Sequence, residues 1–186
     1  MVEDMPAFII DDVFPVSQIG NFFEEIKSQS FTREEYDFTG DEYPICSFDF
    51  DIKEFQTNNI VAHKVIELLS CLFPEEKHTL NRAYVNRCDN EDIEFPHRDC
   101  VDYSKNVTVI YYANNKWDYR WGGETKLYQD GDTRYAVLPK PGRILLFRGA
   151  IEHVGSIPTR LFTEKRYTLA MKFSSRTLIH SSSAPT

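Results

Sequence analysis

The sequence predicts a mainly β fold with flanking N-terminal helices, α+β in class, whose strands close into a jelly-roll or barrel core. Three observations predict it. Apolar residues recur at helical spacing in two segments before Pro74, they fall in short strand-length runs from Leu80 onward, and Gly122-Gly123, Asp130-Gly131 and Pro141-Gly142 punctuate those runs as turns. Helices followed by a series of strands segregate into a helical layer on one outer face of a β core.

Each element follows from its own residues. A short apolar strand is expected at 8–10. Segment 15–29 carries Ile19, Phe22, Phe23 and Ile26, the i, i+3, i+4, i+7 stripe of an amphipathic helix, and Glu24 and Glu25 leave that stripe free. Residues 31–56 are polar and aromatic without a sustained period, so they are expected to be irregular, with one strand around 45–50. A second helix is expected to start at Thr57 or Asn58 as N-cap, to run through Ile60, Val61, Val65, Leu68, Leu69 and Leu72, and to stop at Pro74. Strands are then expected at 81–87, 107–113, 125–129, 135–139, 143–148 and 166–173. The chain reads as one domain over 1–175, with helical support in 1–79 and the β core in 80–175, followed by a small, polar, frayed tail at 176–186.

Composition limits the function. A chain of 186 residues can bury a core without disulfide or metal staples, yet is too short for a protein kinase. With 41% hydrophobic residues, among them 14 Phe and 10 Tyr, it is not a disordered chain. A net charge of −8 repels phosphate backbones and argues against a nucleic-acid partner. No run reaches the roughly 20 apolar residues of a membrane helix, and the acidic start MVEDMPAFIIDD lacks the apolar length of a signal peptide. Cys46, Cys71, Cys88 and Cys100 show no CxxC spacing, so free thiols in a reducing, cytoplasmic setting are expected.

The stretch EFPHRDC, 94–100, is the chemical signal. A kinase catalytic loop with the same HRD needs an Asn farther along, where this chain has Ser104, and neither GxGxxG nor DFG is present. On an extended strand His97 and Asp99 leave the same face and can meet one cation, while Arg98 points the other way. A third ligand is required. Of the other histidines, His63 sits in a helix, His78 after the Pro74 turn and His180 in the tail, whereas His153 directly follows the apolar strand at 143–148. Taken alone, His153 reads better as a turn histidine bonding to backbone.

The last strand, RYTLAMKF, raises the odds of a site. Alternation places Tyr167, Leu169, Met171 and Phe173 against the helices and turns Arg166, Thr168, Ala170 and Lys172 into the roll. A buried guanidinium needs an anion, either an internal carboxylate or a ligand held bidentately. Two His and one carboxylate with open positions are the ligand set of non-haem Fe(II) oxygenases. His97, Asp99 and His153 would leave room for a bidentate 2-oxo acid and O2, with Arg166 for the acid's distal carboxylate.

The order His97-x-Asp99, His153, Arg166 and Thr168, together with RAYVN, NVTVIYYANNKW, WGGET and GRILLF leading to HVG and RY, resembles the 2-oxoglutarate/Fe(II)-dependent dioxygenases over roughly residues 80–173. Within that superfamily it is most similar to the prolyl hydroxylase branch. The resemblance implies a double-stranded β-helix, a cupin-like jelly roll. It implies His97, Asp99 and His153 as iron ligands, Arg166 as partner of the 2-oxoglutarate C5 carboxylate, Thr168 as a hydroxyl helping to hold it, and Tyr84 and Tyr112 as cosubstrate-lining tyrosines. Simple aromatic packing is the alternative for the two tyrosines. The cofactors implied are Fe(II), 2-oxoglutarate and O2, with ascorbate as a stimulant. The implied reaction is hydroxylation of a C–H bond with release of succinate and CO2, on a prolyl residue of a peptide or protein.

Alternative readings are a hydroxylase of a free amino acid or small metabolite, a nucleic-acid demethylase, and a metal-binding cupin-like domain without catalysis. The demethylases carry Asn and Arg where this chain has Thr168 and Lys172, which weakens that reading. Two loops are candidates for substrate contact. An acidic loop (Asp89, Glu91, Asp92, Glu94) would favour a basic substrate or be simply solvated, and Trp117, Tyr119 and Trp121 would wall the site or pack as an ordinary loop.

Overall fold

The computed structural model describes residues 1–101 and 106–178, so His180 and the part of the expected tail from 179 on lie outside the described residues. The elements run β1 (Ala7–Ile10), α1 (Val16–Lys27), β2 (Thr32–Glu35), β3 (Ile45–Asp49), α2 (Ile52–Asn58), α3 (Ile60–Leu72), β4 (Glu76–Cys88), β5 (Asn106–Tyr112), β6 (Thr125–Gln129), β7 (Asp132–Val137), β8 (Ile144–Arg148), β9 (His153–Gly155) and β10 (Arg166–Thr177). The strands pair antiparallel in a seven-stranded sheet, β1-β8-β5-β10-β4-β3-β2, and a three-stranded sheet, β7-β6-β9. This is the mainly β, double-stranded β-helix architecture with modest helices. Among the described residues no helix is long and apolar enough to cross a membrane.

β10 divides the interior as its alternation requires. Tyr167, Leu169, Met171 and Phe173 join Phe22, Phe23 and Ile26 of α1 and Val61, Val65 and Leu69 of α3 in one apolar cluster. Ala170 belongs to a second cluster with Tyr84, Ile110, Tyr112, Leu127 and Phe147. Arg166 and Thr168 are also buried, at 2% and 6% exposure, and both line a cavity bounded by residues of both sheets. A polar face thus opens inside the roll, where a simple fold would place apolar groups.

Three expectations need correction. Residues 31–56 are not irregular apart from one strand. β2 pairs with β3 as an edge strand, and its TREE sequence carries no apolar alternation because it is largely exposed; Arg82 clamps it through Glu35 at 3.0 and 2.7 Å. α2 precedes the helix expected from Thr57 or Asn58. Asp51 caps it by accepting from the Glu54 N–H at 2.9 Å, and Phe55 is its buried residue, too little to produce a periodic signal. The cap of α3 is Asn59, whose Oδ1 accepts from Val61 N–H at 2.9 Å, while the Thr57 hydroxyl bonds back to the Lys53 carbonyl within α2.

The strand limits shift as well. β7 begins at Asp132 rather than 135, β10 runs on to Thr177 against β4, and His153 starts a short strand of its own.

Candidate active site

His97, Asp99 and His153 come together although they lie on separate segments. His97 and His153 exchange both backbone hydrogen bonds, each 2.9 Å, and Asp99 N–H donates to the Gly149 carbonyl at 2.9 Å. This bridge aligns the HxD segment beside β9. One ligand atom from each of the three residues lies within 4.8 Å of the others. His97 Nε2 is 3.7 Å from Asp99 Oδ1, and His153 Nε2 is 3.7 Å from Asp99 Oδ2.

Hydrogen bonds behind the rings settle which nitrogen faces inward. Nδ1 of His97 lies 3.0 Å from the Phe95 carbonyl and 3.1 Å from Asp37 Oδ1, and Nδ1 of His153 lies 2.9 Å from the Ile151 carbonyl. A carbonyl only accepts, so each Nδ1 carries the proton and each Nε2 lone pair is free for a cation. Burial pushes the His153 pKa down to about 4, with Asp99 opposing, so the ring is neutral as a metal ligand must be. Burial works against ionised Asp99, but Lys172 and His153, together with hydrogen bonds from Lys172 and Thr108, outweigh it and hold the carboxyl well below its usual range. For His97, burial is outweighed by Asp37 and the Phe95 carbonyl, which raise its pKa.

The same cavity, roughly 350 Å³, has an anion-seeking end. Arg166 Nε donates to the Gly123 carbonyl at 3.0 Å and Nη1 lies 3.9 Å from Cys88 Sγ, whereas Nη2 is buried without a partner. Thr168 Oγ1 and Asn86 Oδ1 are likewise buried and unpartnered. Buried polar atoms are ordinarily satisfied, so this cluster marks where a polar ligand group fits. Gly123 makes the arrangement possible: its φ is +74°, and a Cβ there would sit 3.0 Å from the Trp117 ring and 3.2 Å from Arg166 Cδ. Asn114 fixes the start of β10 by donating to the Lys165 carbonyl and accepting from Tyr167 N–H.

The other expected residues separate. Tyr84 lines the cavity beneath the Arg82 guanidinium, 3.8 Å above its ring. Tyr112 lies between the sheets, its hydroxyl donating to Thr125 Oγ1 at 2.7 Å; Thr125 in turn lines the cavity. Trp117, Trp121 and Phe162 pack on one another, with ring centroids 4.7 to 5.7 Å apart. The acidic loop is not an open charged rim: Asp89 pairs with Lys165, Asp92 with Arg33, and Glu94 turns into the cavity. Arg98 turns to Glu3 at 2.9 Å and the Ala150 carbonyl.

Sequence reasoning missed Asp37, Thr108, the inward turn of Glu94 and the contact of Lys172 with Asp99. Lys172 could have been found, because it shares the inward face of β10 with Arg166 and Thr168. A facial set of two imidazoles and one ionised carboxylate, beside a buried guanidinium with a free nitrogen, fits a divalent iron and a dianionic oxo acid.

Comparisons with known proteins agree with this arrangement. Residues 83–173 match the 2OG-Fe(II) oxygenase superfamily. No curated protein matches the chain in sequence at a significant level. Among solved structures, a prolyl-4-hydroxylase from Pseudomonas putida matches with a TM-score of 0.67 at 14% identity, covering 93% of this chain and 94% of its own. A prolyl hydroxylase from Trichoplax adhaerens, in complex with a hypoxia inducible factor oxygen degradation domain peptide fragment, matches with a TM-score of 0.62 at 16% identity, covering 90% and 83%. A prolyl 4-hydroxylase from Phytophthora capsici reaches 0.65 at 20% identity, covering 90% of this chain and 58% of that one. At these identities the likeness is one of fold. Residues 83–173 thus resemble the 2OG-Fe(II) oxygenases in sequence, and the chain as a whole folds like a prolyl hydroxylase.

Proposed function

We propose that this chain is an Fe(II)- and 2-oxoglutarate-dependent hydroxylase acting on a prolyl residue of a peptide or protein, with His97, Asp99 and His153 as the iron ligands. The observation that carries the proposal is the three-residue cluster within 4.8 Å, in one cavity with a buried guanidinium whose Nη2 has no partner. Bound iron would supply oxygen activation, coupling decarboxylation of 2-oxoglutarate to succinate with hydroxylation of a C–H bond.

The chain's own residues do the rest. Backbone carbonyls of Phe95 and Ile151 keep the proton on Nδ1 of each histidine, so both Nε2 atoms point at the iron position. Lys172 and Thr108 keep Asp99 ionised and oriented. Arg166, with Thr168 beside it, receives the distal carboxylate of the oxo acid, and Tyr84 lines its path. Tyr112 acts from behind by holding the Thr125 hydroxyl.

The prolyl substrate is favoured by the prolyl hydroxylases that share the fold, one of them solved with a peptide bound. The test is succinate release by Fe(II)-loaded protein over a panel of proline-containing peptides, free amino acids and methylated nucleotides. Stimulation by prolyl peptides, with hydroxylation of the proline, is expected. Stimulation by free amino acids alone moves the substrate to a small metabolite, and stimulation by methylated bases alone overturns the branch.

A further inference from the structure

The anion end of the cavity contains a carboxylate that the reaction proposed above does not use. Glu94 reaches in from the loop after β4, and its Oε1 is buried without a hydrogen-bond partner. It faces Arg166 across Gly155: a Cβ on Gly155 would stand 2.6 Å from Glu94 Oε2 and 3.5 Å from both Nη1 and Nη2 of Arg166. Glycine at 155 therefore keeps open the space in which the two groups meet. They make no direct ion pair, which leaves the gap between them for another atom.

The other groups near Glu94 do not neutralise it. The Cys88 thiol of β4 hydrogen-bonds to it, Asp37 from the β2–β3 loop repels it, and His97 attracts it only when protonated. Burial raises the Glu94 pKa to about 7, with Arg166 opposing the rise.

Arg166 alone would favour a ligand ending in a carboxylate over one ending in a neutral group, because only the former makes charge-assisted bonds. A second carboxylate at the same spot cancels much of that preference whenever it is ionised. Once neutral, it removes the repulsion and offers a hydroxyl donor to the ligand. We propose that Glu94 is a specificity-determining residue of the cosubstrate end, setting how strongly the cavity discriminates a dianionic 2-oxo acid from one whose distal end is an uncharged amide. The inference rests on the reading of Arg166 as the seat of the distal carboxylate. Discrimination is weak while Glu94 is ionised and strong when it is neutral.

The test is calorimetric titration of the Fe(II)-loaded protein under nitrogen with 2-oxoglutarate and, separately, with its distal amide, 2-oxoglutaramate. Both share the chelating end, so effects of pH on the iron ligands cancel in the ratio of the two dissociation constants. In the wild type the amide-to-diacid ratio is expected to fall about tenfold between about pH 6 and about pH 8, following the neutral fraction of Glu94. Glu94→Gln is expected to keep the higher ratio at both values. A wild-type ratio constant across that range overturns the inference, and this measurement needs no variant to fold. A Glu94→Gln ratio equal to the wild type at about pH 8 overturns it as well. Failure of the iron-loaded wild type to bind either acid would sink the function proposed above instead.

Discussion

Arg166→Met removes the guanidinium while keeping an unbranched apolar stem against Gly123. In the folded protein the Arg166 Nε bond to the Gly123 carbonyl is lost, costing about 1 kcal/mol of stability. The larger effect is on the ligand. Truncating one partner of a buried, hydrogen-bonded charge pair costs roughly 2–5 kcal/mol, which spans about thirtyfold to several thousandfold in affinity. Glu94 faces the same spot and offsets part of the guanidinium's attraction, so the lower part of that span applies, about a hundredfold. The assay is anaerobic titration of 2-oxoglutarate into Fe(II)-loaded protein, with iron affinity measured in parallel. Iron binding is expected to hold, because Arg166 is outside the three-residue cluster. If the variant binds 2-oxoglutarate within about threefold of the wild type, the anion seat is elsewhere and the reasoning from its unpartnered nitrogen is wrong.

Asp99→Ala is expected to abolish hydroxylation and to weaken Fe(II) retention at least about tenfold, read by iron analysis after dialysis; full hydroxylation would remove Asp99 from the triad. Asp37→Asn keeps the shape of the group behind His97 Nδ1 but not its charge, so iron affinity should fall about tenfold to a hundredfold with little change in melting temperature. Replacement of Glu94 also bears on stability. Its folded pKa, about 7, lies above its ordinary value, so the folded state binds the proton more tightly. The resulting stability is present at low pH and is lost as pH rises through about 7. Relative to the wild type, Glu94→Gln should therefore gain stability as pH rises from about 4.5 to about 7, by on the order of 3 kcal/mol, in urea melts at a series of pH values.

The parts of the site that sequence could reveal are those set by strand alternation. His97 and Asp99 stand two apart, and Arg166, Thr168 and Lys172 share one face of a strand whose opposite face, Tyr167 to Phe173, is continuously apolar. Burial on one side makes such a register readable. β2 gave no such signal, since its residues are mostly exposed and its place depends on Arg82 reaching Glu35 and Asp49. α2 read as irregular because Phe55 is its one buried residue, and the start of α3 read one or two residues early because a single extended residue, Asn59, at φ −95° and ψ 124°, separates the two helices.

The supporting groups of the site were hidden for a different reason. Asp37 reaches His97 from a loop distant in sequence, and Thr108 meets Asp99 across β8, which pairs with β5 and leads to the Gly149 carbonyl that accepts from Asp99 N–H. Glu94 looked like one member of an acidic loop. Its neighbours Asp89 and Asp92 are drawn off by Lys165 and Arg33, and it alone turns inward. No local pattern distinguishes the three.

The most direct test of the central claim is the stoichiometry of turnover by Fe(II)-loaded wild-type protein on a proline-containing peptide, with succinate and peptide mass measured in the same reaction. One succinate is expected for each oxygen atom gained at a prolyl residue, and neither product without iron or with Asp99→Ala. Absence of succinate from the iron-loaded wild type across prolyl peptides, amino acids and methylated nucleotides alike would contradict the claim.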